Sequence, residues 1–443
     1  MVGEGVQFMM EKKKVLVFPA GTEIAFEIWN ALKNCKDVEL WGATSVHCHA
    51  EMVFERCFMN LPFIDDDRII DSLNNIIDEA EIDYIYPAHD SALFKLTRYK
   101  WKLHAEVITS DFLTVRICRN KNETYKYLWE RGAYYLPRFY TQDELAFEDV
   151  DEFPVFAKPA VGQGAEGAVK VNSEEELQRL LDSGKEYAVC EYLPGEEITV
   201  DCFTDKNGTL RYVGQRSRDR IRSGIAVRSR TMPTEKIVFK IAEDLNDQFD
   251  FTGAWFFQMK KDKNGDYKLM EVAPRIAGTM GLTRNLGVNM PLLTLYTVMG
   301  LDVEIVNNNA DLLLDRAFIS RFWYDIDYDT VYVDFDDTLI VNGKVNPMLI
   351  AFLHQCKDKG KSVILLTKHR HGNIITDIEA HNISMKLFDA VILIGLEKEK
   401  ADYVSEGGIF IDDSWRNRKK VQDKVGIPVF DVDAVESLLD WSA

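Results

Sequence analysis

The chain has 443 residues, of which 46% are hydrophobic, and a formal net charge of −19 at pH 7. This length favours about three domains, and the hydrophobic content is sufficient for their cores. The acidic balance argues against non-specific nucleic-acid binding, which depends on basic side chains that neutralise phosphates. No apolar stretch approaches the ~20 residues that a membrane-spanning helix needs.

Seven cysteines, from Cys35 to Cys356, are scattered along the chain without any Cys-x-x-Cys pair. This pattern predicts free thiols in a reducing compartment and argues against a zinc site. Residues 1–10 lack the pattern of a secretory signal. We therefore expect a cytoplasmic protein with neither nucleic-acid nor membrane partners, and an oligomer remains compatible with the sequence.

Predicted strands and helices alternate over residues 1–115. An apolar run at Lys14–Phe18 predicts a strand, and an apolar-periodic helix follows at Ile24–Leu32. Later strands are predicted at Val38–Trp41 and Tyr84–Pro87. The alternation predicts an open α/β domain. The loop between the first strand and helix lacks a G-x-G-x-x-G pattern, which favours a plain turn over a nucleotide site.

A lysine at a predicted strand end is followed by a glycine-rich loop. Lys158 precedes Gly162, Gly164 and Gly167. Such glycines allow positive φ and leave backbone N–H groups exposed, so the loop can hold phosphates. The loop is not a Walker loop because no Gly-Lys-Ser/Thr follows. Taken alone, it is equally consistent with a surface hairpin.

Further polar residues fall at the ends of predicted elements between residues 116 and 325. Lys121 opens a predicted helix, and the segment Glu191–Asp201 joins two strands through a glycine turn between acidic residues. The turn Lys263–Asp266 predicts a hairpin. That hairpin would make Gln258 and Glu271 neighbours on adjacent strands, where their oxygens can bind Mg²⁺.

Arginines alternate with other residues just before this hairpin. The alternation from Arg216 through Arg218 and Arg220 to Arg222 predicts one face of a single strand. That face could be solvated, or it could bind a carboxylate or phosphate. We expect Arg222, beside Ser223 and Gly224, to contact substrate. For Asp90, at the end of an earlier strand, a turn cap is favoured over a substrate contact.

The order of these features over the first ~320 residues resembles the ATP-grasp superfamily, especially its carbamoyl-phosphate-synthase-like branch. One departure is Ala273, which stands where the family usually has a metal-ligating Asn. The resemblance implies ATP and Mg²⁺ as cofactors and the following roles: Lys121 and Lys158 on the ATP phosphates, the loop Gly162–Gly167 over them, Glu191 at the adenine hinge, Glu197 near the ribose, Gln258 and Glu271 on Mg²⁺, and Arg275 facing the transferred phosphate or the substrate carboxylate.

Four motifs in the last 120 residues each follow or precede a predicted strand. Asp334 and Asp336 follow the strand Val331–Val333, and Thr367 closes Val363–Leu366. A third strand, Gly408–Ile411, ends at two further aspartates and is preceded by two candidate lysines. The carboxyl edge of a parallel sheet is where ligands bind. One carboxylate can attack phosphorus while another transfers a proton, so the motifs predict a phosphoryl-transfer site.

These motifs resemble the haloacid dehalogenase superfamily of phosphatases, which implies a Rossmann-like domain. The short gaps between the motifs leave no room for an inserted cap domain, so we expect an open site that takes a large substrate or borrows a lid from the ATP-grasp half. Lys398 competes with Lys400, which we prefer because it begins a predicted helix. The resemblance implies these roles: Asp334 as nucleophile, Asp336 as general acid/base, Thr367 as phosphate ligand, Lys400 as charge stabiliser, and Asp334, Asp336, Asp412 and Asp413 as the Mg²⁺ set.

The sequence as a whole predicts an α/β and α+β protein with three domains. They are an N-terminal open α/β domain at residues 1–115, an ATP-grasp domain at 116–325, and a capless haloacid dehalogenase domain at 326–443. The expected function is bifunctional: an ATP-dependent ligase for small-molecule carboxylates and amines, and a phosphatase for a phosphorylated substrate. The alternatives are a phosphatase with a regulatory nucleotide-binding domain and a non-catalytic, ligand-responsive binding module.

Overall fold

The computed structural model describes residues 11–141, 144–145, 150, 152–162, 166–308, 310–369 and 372–442. The chain forms two compact units, Met1–Phe318 and Ile319–Ala443. The three-domain division therefore stays a prediction, although its second boundary lies close to this division. Within these described ranges, no helix is both long and apolar enough to cross a membrane.

The first unit begins with five strands, β1 (Lys13–Phe18), β2 (Val38–Ala43), β3 (Cys57–Phe58), β4 (Tyr84–Pro87) and β5 (Glu106–Val107). They pair in parallel in the order β3-β2-β1-β4-β5, as an open α/β sheet does. Val15 and Val17 pack on one face of the sheet, and Leu16 and Phe18 pack on the other. Burial on both faces explains the continuous apolar run of β1. The helices here are α1 (Glu23–Leu32), α2 (Ile69–Ala80), α3 (Asp90–Arg98) and α4 (Phe112–Arg119).

Antiparallel sheets and helices make up the rest of the first unit, as far as its residues are described. Its strands are β6 (Phe139–Tyr140), β7 (Val155–Pro159), β8 (Val169–Val171), β9 (Tyr187–Glu191), β10 (Glu197–Thr204), β11 (Leu210–Ser217), β12 (Arg220–Arg222), β13 (Ile225–Arg230), β14 (Gly253–Lys261), β15 (Tyr267–Ala273) and β16 (Leu313–Asp315). They form sheets of order β6-β9-β7-β8, β11-β10-β14-β15 and β12-β13-β16. Its helices are α5 (Lys121–Trp129), α6 (Glu174–Leu181), α7 (Lys236–Gln248), α8 (Gly281–Asn285) and α9 (Met290–Val298).

The short link between β9 and β10 connects two different sheets. Gly195 lies in this link, and its N–H donates to the carbonyl of Lys261 at 2.9 Å. A Cβ at Gly195 would come within 2.5 Å of the Lys261 Cβ, so the close approach requires glycine. The predicted glycine turn is confirmed, and it brings the ends of two sheets together.

The arginine run does not form one strand face, so that prediction is wrong. β11 ends at Ser217, and β12 belongs to another sheet. Arg216 is fully buried and donates from Nε and Nη2 to Asp201 at 2.9 and 3.1 Å. Arg220, in contrast, is exposed and pairs with Asp315. The alternating arginines suggested one continuous strand, but this pattern contains no signal for the break between β11 and β12.

The second unit is built on five strands, β17 (Thr330–Val333), β20 (Ser362–Thr367), β21 (Ala390–Leu393), β22 (Gly408–Ile411) and β23 (Val429–Phe430). They pair in parallel in the order β21-β20-β17-β22-β23. The direction of the strand order switches between β17 and β22, the position where open α/β sheets bind ligands. The predicted strands are confirmed, but the helix predicted to begin at Lys400 is only the 3₁₀ turn Lys400–Asp402. The remaining elements are β18 (Ile340–Val341), β19 (Lys344–Val345), α10 (Pro347–Asp358), α11 (Ile374–Ala380) and α12 (Trp415–Val425).

We predict that Arg216→Ala lowers the free energy of unfolding by about 3–5 kcal/mol, because it leaves Asp201 buried and unpaired. Arg220→Ala, which removes an exposed ion pair, should cost about 1 kcal/mol or less. Guanidinium denaturation followed by tryptophan fluorescence measures both. Equal losses in the two variants would contradict the structural role of Arg216.

Candidate active sites

One cavity in the first unit is lined by residues of both four-stranded sheets and of helix α5. It collects polar residues that are far apart in sequence but that all fell at the ends or edges of predicted elements. The predicted site residues that line it are Lys121, Lys158, Gly162, Glu191, Glu197, Gln258 and Glu271.

Two buried lysines contribute positive charge to this cavity. Lys121 is the first residue of α5, whose N-cap is Asn120, and its Nζ donates to the carbonyls of Pro159 and Gly162 at 3.4 and 3.3 Å. Lys158 Nζ donates to the carbonyl of Met270 at 2.7 Å. Desolvation lowers the pKa of Lys121, although the nearby Glu271 opposes this shift. Both amino groups are therefore fixed by backbone carbonyls on the wall of the cavity.

Two glutamates mark the ends of strands beside the cavity. Glu191 ends β9, and its carboxylate accepts the N–H of Arg138 at 2.9 Å. Glu197 begins β10 and forms an ion pair with Arg218 Nε at 2.6 Å. Lys260, directly opposite Glu197 on β14, also lines the cavity. The sequence prediction missed Lys260, which shares a strand face with Gln258 at a spacing of two residues.

Gln258 and Glu271 are direct cross-strand partners on β14 and β15, as the hairpin predicts. Their side chains lie on the same face and line the cavity, so their oxygens suit a Mg²⁺ ion. The next pair on that face is Phe256 with Ala273, and both side chains are buried in one apolar cluster. The replacement of the usual Asn by Ala273 therefore goes together with apolar packing beside the metal-ligand pair.

Arg275 is held by an acid at the start of helix α3. Its Nε and Nη2 donate to the two carboxylate oxygens of Asp90 at 2.6 and 2.8 Å, and its guanidinium lies 5.2 Å from the Phe256 ring centroid. Burial alone would lower the pKa of Arg275, but the Asp90 charge and hydrogen bonds raise it overall. Asp90 is the first residue of α3, but the N-cap is His89, whose Nδ1 accepts the Ser91 N–H, so the predicted cap role of Asp90 is wrong.

The remaining predicted residues of this half differ in their surroundings. Arg222 is exposed on β12, with its guanidinium 5.4 Å from the Phe318 ring centroid, and it does not line the cavity. Gly167 has φ +72° and packs closely against Pro159. Gly164 lies outside the described residues. The proposed contact between Arg222 and substrate therefore has no support from its position in the fold.

In the second unit, a buried lysine lies between two buried aspartates. Lys400 Nζ is 2.6 Å from Asp334 Oδ1 at the end of β17, and 2.6 Å from Asp412 Oδ2 at the end of β22. The contact with Asp412 has hydrogen-bond geometry, whereas the contact with Asp334 is an ion pair without it. Lys400, rather than Lys398, is therefore the lysine that the fold brings to these carboxylates.

Three carboxylates of this unit can converge on one cation. Asp334, Asp412 and Asp413 each offer an oxygen, and these oxygens lie within 4.8 Å of one another. Burial raises the pKa of Asp413, and the nearby Asp412 and Asp337 add to this shift. The set of oxygen donors fits Mg²⁺, which takes oxygen ligands. The Asp336 carboxylate is not part of this group.

Thr367 Oγ1, at the same sheet edge, is buried and forms no hydrogen bond with any described residue. Asp334 Oδ1 also lacks hydrogen-bond geometry, but its charge is paired with the Lys400 ammonium 2.6 Å away. Buried polar groups are normally satisfied, so the Thr367 hydroxyl indicates a site for a ligand. Burial raises the pKa of Asp334 to about 6; Lys400 opposes this shift and Asp412 adds to it.

The Asp336 carboxylate is half-exposed and contacts His369, which the sequence analysis did not include among the candidate residues. His369 Nδ1 lies 3.0 Å from Asp336 Oδ2, and Nε2 lies 2.7 Å from Asp377 Oδ2. Desolvation lowers the pKa of His369, but the hydrogen bonds to both aspartates raise it overall. The available sequence signal was a histidine two residues after Thr367, at the carboxyl end of a strand.

A family model described as "ATP-grasp in the biosynthetic pathway with Ter operon" matches residues 183–315. Among curated proteins, none matches the chain.

Several solved structures resemble the chain at low sequence identity. The biotin carboxylase domain of 2-oxoglutarate carboxylase from Hydrogenobacter thermophilus has a TM-score of 0.55 and 16% identity, with 67% of this chain and 72% of that chain covered. N5-carboxyaminoimidazole synthetase from Staphylococcus aureus, complexed with ADP, has a TM-score of 0.56 and 14% identity, with 69% of this chain and 82% of that chain covered. The L-amino acid ligase from Bacillus licheniformis has a TM-score of 0.51 and 19% identity, with 65% of this chain and 74% of that chain covered. The chain therefore contains an ATP-grasp fold.

Proposed function

We propose that the protein is a bifunctional, Mg²⁺-dependent enzyme. Its first unit would be an ATP-dependent ligase that joins a small-molecule carboxylate to an amine. Its second unit would be a haloacid dehalogenase-type phosphatase that forms an aspartyl phosphate. The observation that carries the ligase half is the convergence of seven predicted site residues on one cavity within an ATP-grasp fold.

The chemistry of the cavity supports ATP as the ligase substrate. Lys121 and Lys158 would neutralise phosphate charge, and the glycine loop that begins at Gly162 would donate backbone N–H groups. Glu191 and Glu197, at two strand ends, would bind the adenine and the ribose. The neighbours known from crystals with ADP have the same fold, which agrees with this proposal.

The ligase reaction would proceed in two displacement steps. A carboxylate oxygen of the acid attacks the γ-phosphorus of ATP. The bond between the γ-phosphorus and the β–γ bridging oxygen breaks, and ADP leaves. The amine nitrogen then attacks the acyl carbon of the resulting acyl phosphate, inorganic phosphate leaves, and the nitrogen loses a proton. Gln258 and Glu271 would hold Mg²⁺, which when bound neutralises charge on the phosphates.

Ala273 and the Arg275–Asp90 pair are the features that favour a regulatory role for the nucleotide site. Ala273 offers no metal ligand, and the Arg275 charge is already balanced by Asp90. A ligase with this site would release ADP when pools of candidate acids and amines are supplied with ATP. ATP binding without ADP release from any pool would favour regulation.

The unsatisfied Thr367 hydroxyl, beside the buried carboxylates, carries the proposal for the phosphatase half. Thr367 Oγ1 is buried without a hydrogen bond to any described residue, and Asp334 lies at the switch point of the same parallel sheet. A phosphate there would accept a hydrogen bond from Thr367 and would lie against the Asp334 carboxylate. Lys400 would balance the added negative charge, and Asp334, Asp412 and Asp413 would hold Mg²⁺.

The phosphatase reaction would also proceed in two steps. An Asp334 oxygen attacks phosphorus, the bond to the leaving oxygen breaks, and Asp336 gives that oxygen a proton. Water then attacks the phosphorus of the aspartyl phosphate, gives a proton to Asp336, and the bond between phosphorus and Asp334 breaks. Between Thr338 and Lys400, the described chain forms a small hairpin, helices and two sheet strands without an inserted domain. This open arrangement supports a large phosphorylated substrate.

We predict that Lys158→Ala weakens ATP binding about 10- to 100-fold, because a lost charge-assisted contact costs about 1.5–3 kcal/mol. Lys185, an exposed lysine of the same unit, provides the control variant Lys185→Ala. Isothermal titration calorimetry measures both affinities, and phosphatase turnover should be unchanged in both variants. An unaltered ATP affinity in Lys158→Ala would remove this lysine from the nucleotide site.

We predict that Asp334→Asn lowers phosphate-ester hydrolysis by at least about 1,000-fold and leaves ATP affinity unchanged, because an amide cannot replace the carboxylate nucleophile. Turnover of p-nitrophenyl phosphate measures the effect. Asp358→Asn, which changes an exposed aspartate of the same unit, should retain full activity. Hydrolysis near the wild-type rate in Asp334→Asn would rule out this nucleophile.

We predict that Asp413→Asn weakens Mg²⁺ binding in the absence of nucleotide by about 10- to 100-fold, since one of three charged ligands is lost. Calorimetric titration with Mg²⁺ measures this affinity independently of activity. Asp423→Asn changes an exposed aspartate on α12 and should bind Mg²⁺ as the wild type does. If both variants match the wild type, the three-carboxylate group is not the Mg²⁺ site.

A further inference from the structure

His369 is almost fully buried and lies between two aspartates of the second unit. Its side chain is 6% exposed, whereas the Asp336 side chain is 50% exposed. Nδ1 lies 3.0 and 3.1 Å from the two Asp336 oxygens, and Nε2 lies 2.7 Å from Asp377 Oδ2. Both ring nitrogens are thus engaged, and the imidazole links an exposed carboxylate to one that belongs to helix α11.

The surroundings of His369 hold its ring in one orientation. The ring meets Phe335 edge-to-face, with a centroid distance of 5.4 Å and an interplanar angle of 89°. Asp377 is itself fixed on α11, and Gly372 lies so close that a Cβ there would come within 2.9 Å of Asp377 Oδ2. Gly372 also has φ +85°, which favours glycine. The histidine is therefore positioned by a built environment and not by chance contact at the surface.

Asp336, in contrast, depends on this histidine for its orientation. In the described part of the chain, His369 is the hydrogen-bond partner of the Asp336 carboxylate. A half-exposed aspartate without such a partner would sample several rotamers in water. A proton donor works only when it lies within hydrogen-bond reach of the atom that receives the proton.

We propose that His369 is a positioning residue for the phosphatase: through Nδ1 it holds Asp336 in the rotamer that delivers a proton to the leaving oxygen, and Asp377 holds His369 in turn. This inference rests on the proposed phosphatase function. The chemical steps stay those of the two displacements, in which Asp336 gives one proton to the leaving oxygen and regains one from water. His369 acts on these steps only through Asp336.

The proposal has a consequence that depends on the leaving group. An alkoxide is a poor leaving group and needs a proton as the bond to phosphorus breaks, whereas a nitrophenolate leaves readily without one. General acid catalysis contributes about 10²–10⁴-fold to a rate. Loss of the Asp336 orientation should therefore slow alkyl phosphate hydrolysis strongly and nitrophenyl phosphate hydrolysis only slightly.

The kinetic test compares glycerol phosphate with p-nitrophenyl phosphate in His369→Ala, Asp377→Asn, Asp336→Asn and the double variant of His369 and Asp336. We expect kcat for glycerol phosphate to fall about 100-fold in His369→Ala, with KM unchanged and less than about threefold loss for p-nitrophenyl phosphate. Asp377→Asn should show the same pattern more weakly. The two changes in the double variant should be non-additive, because both act through one proton donor. His354→Asn, an exposed histidine in the same unit, is the matched control.

A second measurement does not depend on activity. In the full chain labelled with ¹⁵N-histidine, the ring signals of His369 should shift in both Asp336→Asn and Asp377→Asn and stay unchanged in Asp358→Asn. If the ring signals of His369 are the same in Asp336→Asn as in the wild type, the proposal is overturned. This test does not require the His369→Ala variant to fold.

The outcomes separate this inference from the proposed function. An active wild type whose His369→Ala variant loses equal activity on both esters would overturn the positioning role and leave the phosphatase in place. A wild type that hydrolyses neither ester would overturn the phosphatase and the inference with it. The leaving-group pattern together with the shifted ring signals would establish both.

Discussion

The contact of Lys400 with Asp334 and Asp412 is the interaction on which the site of the second unit depends. Two aspartates at adjacent strand ends are buried where the sheet order switches, and water cannot solvate their charges. Two buried like charges raise each other's proton affinity and oppose folding unless a cation compensates them. Lys400 supplies that cation from the segment preceding β22, and the parallel register brings the two acids to it.

The first unit meets the same constraint with several separate pairs. Arg216 pairs with Asp201 inside the antiparallel sheet, Arg275 pairs with Asp90, and Arg284 pairs with Glu27. The last two pairs join the segment after β15 and helix α8 to helices α3 and α1, which flank the N-terminal sheet. Lys121 and Lys158 differ from these arginines, because their amino groups donate to backbone carbonyls and form no direct ion pair with a described residue. Glu271 acts on the Lys121 charge from a distance, so neither lysine has a contacting carboxylate that a polyphosphate ligand would have to displace.

Sequence reasoning predicted the strands around Asp334, Thr367 and Asp412 well, because a parallel strand buried on both faces is a continuous apolar run with a polar residue at its end. The hairpin that pairs Gln258 with Glu271 was predictable from its turn residues for a similar reason. The surroundings of the arginines were not predictable, because the alternation of residues along the chain does not show where a strand ends. His369 and Asp90 were missed as partners because their contacts join segments that local patterns treat separately.

The buried Arg216–Asp201 pair also constrains how this sheet can change during evolution. A single substitution at either position leaves a buried charge without a partner, whereas an apolar pair of similar volume is often as stable as the ion pair it replaces. The ion pair and the apolar pair are therefore both acceptable, but the single substitutions that lie between them are destabilising. Thr283, which donates to Asp201 at 2.7 Å, would lose its acceptor in the apolar state and is tied to the same choice. Divergent sequences with this fold should carry the three positions as a block, inherited together or exchanged together.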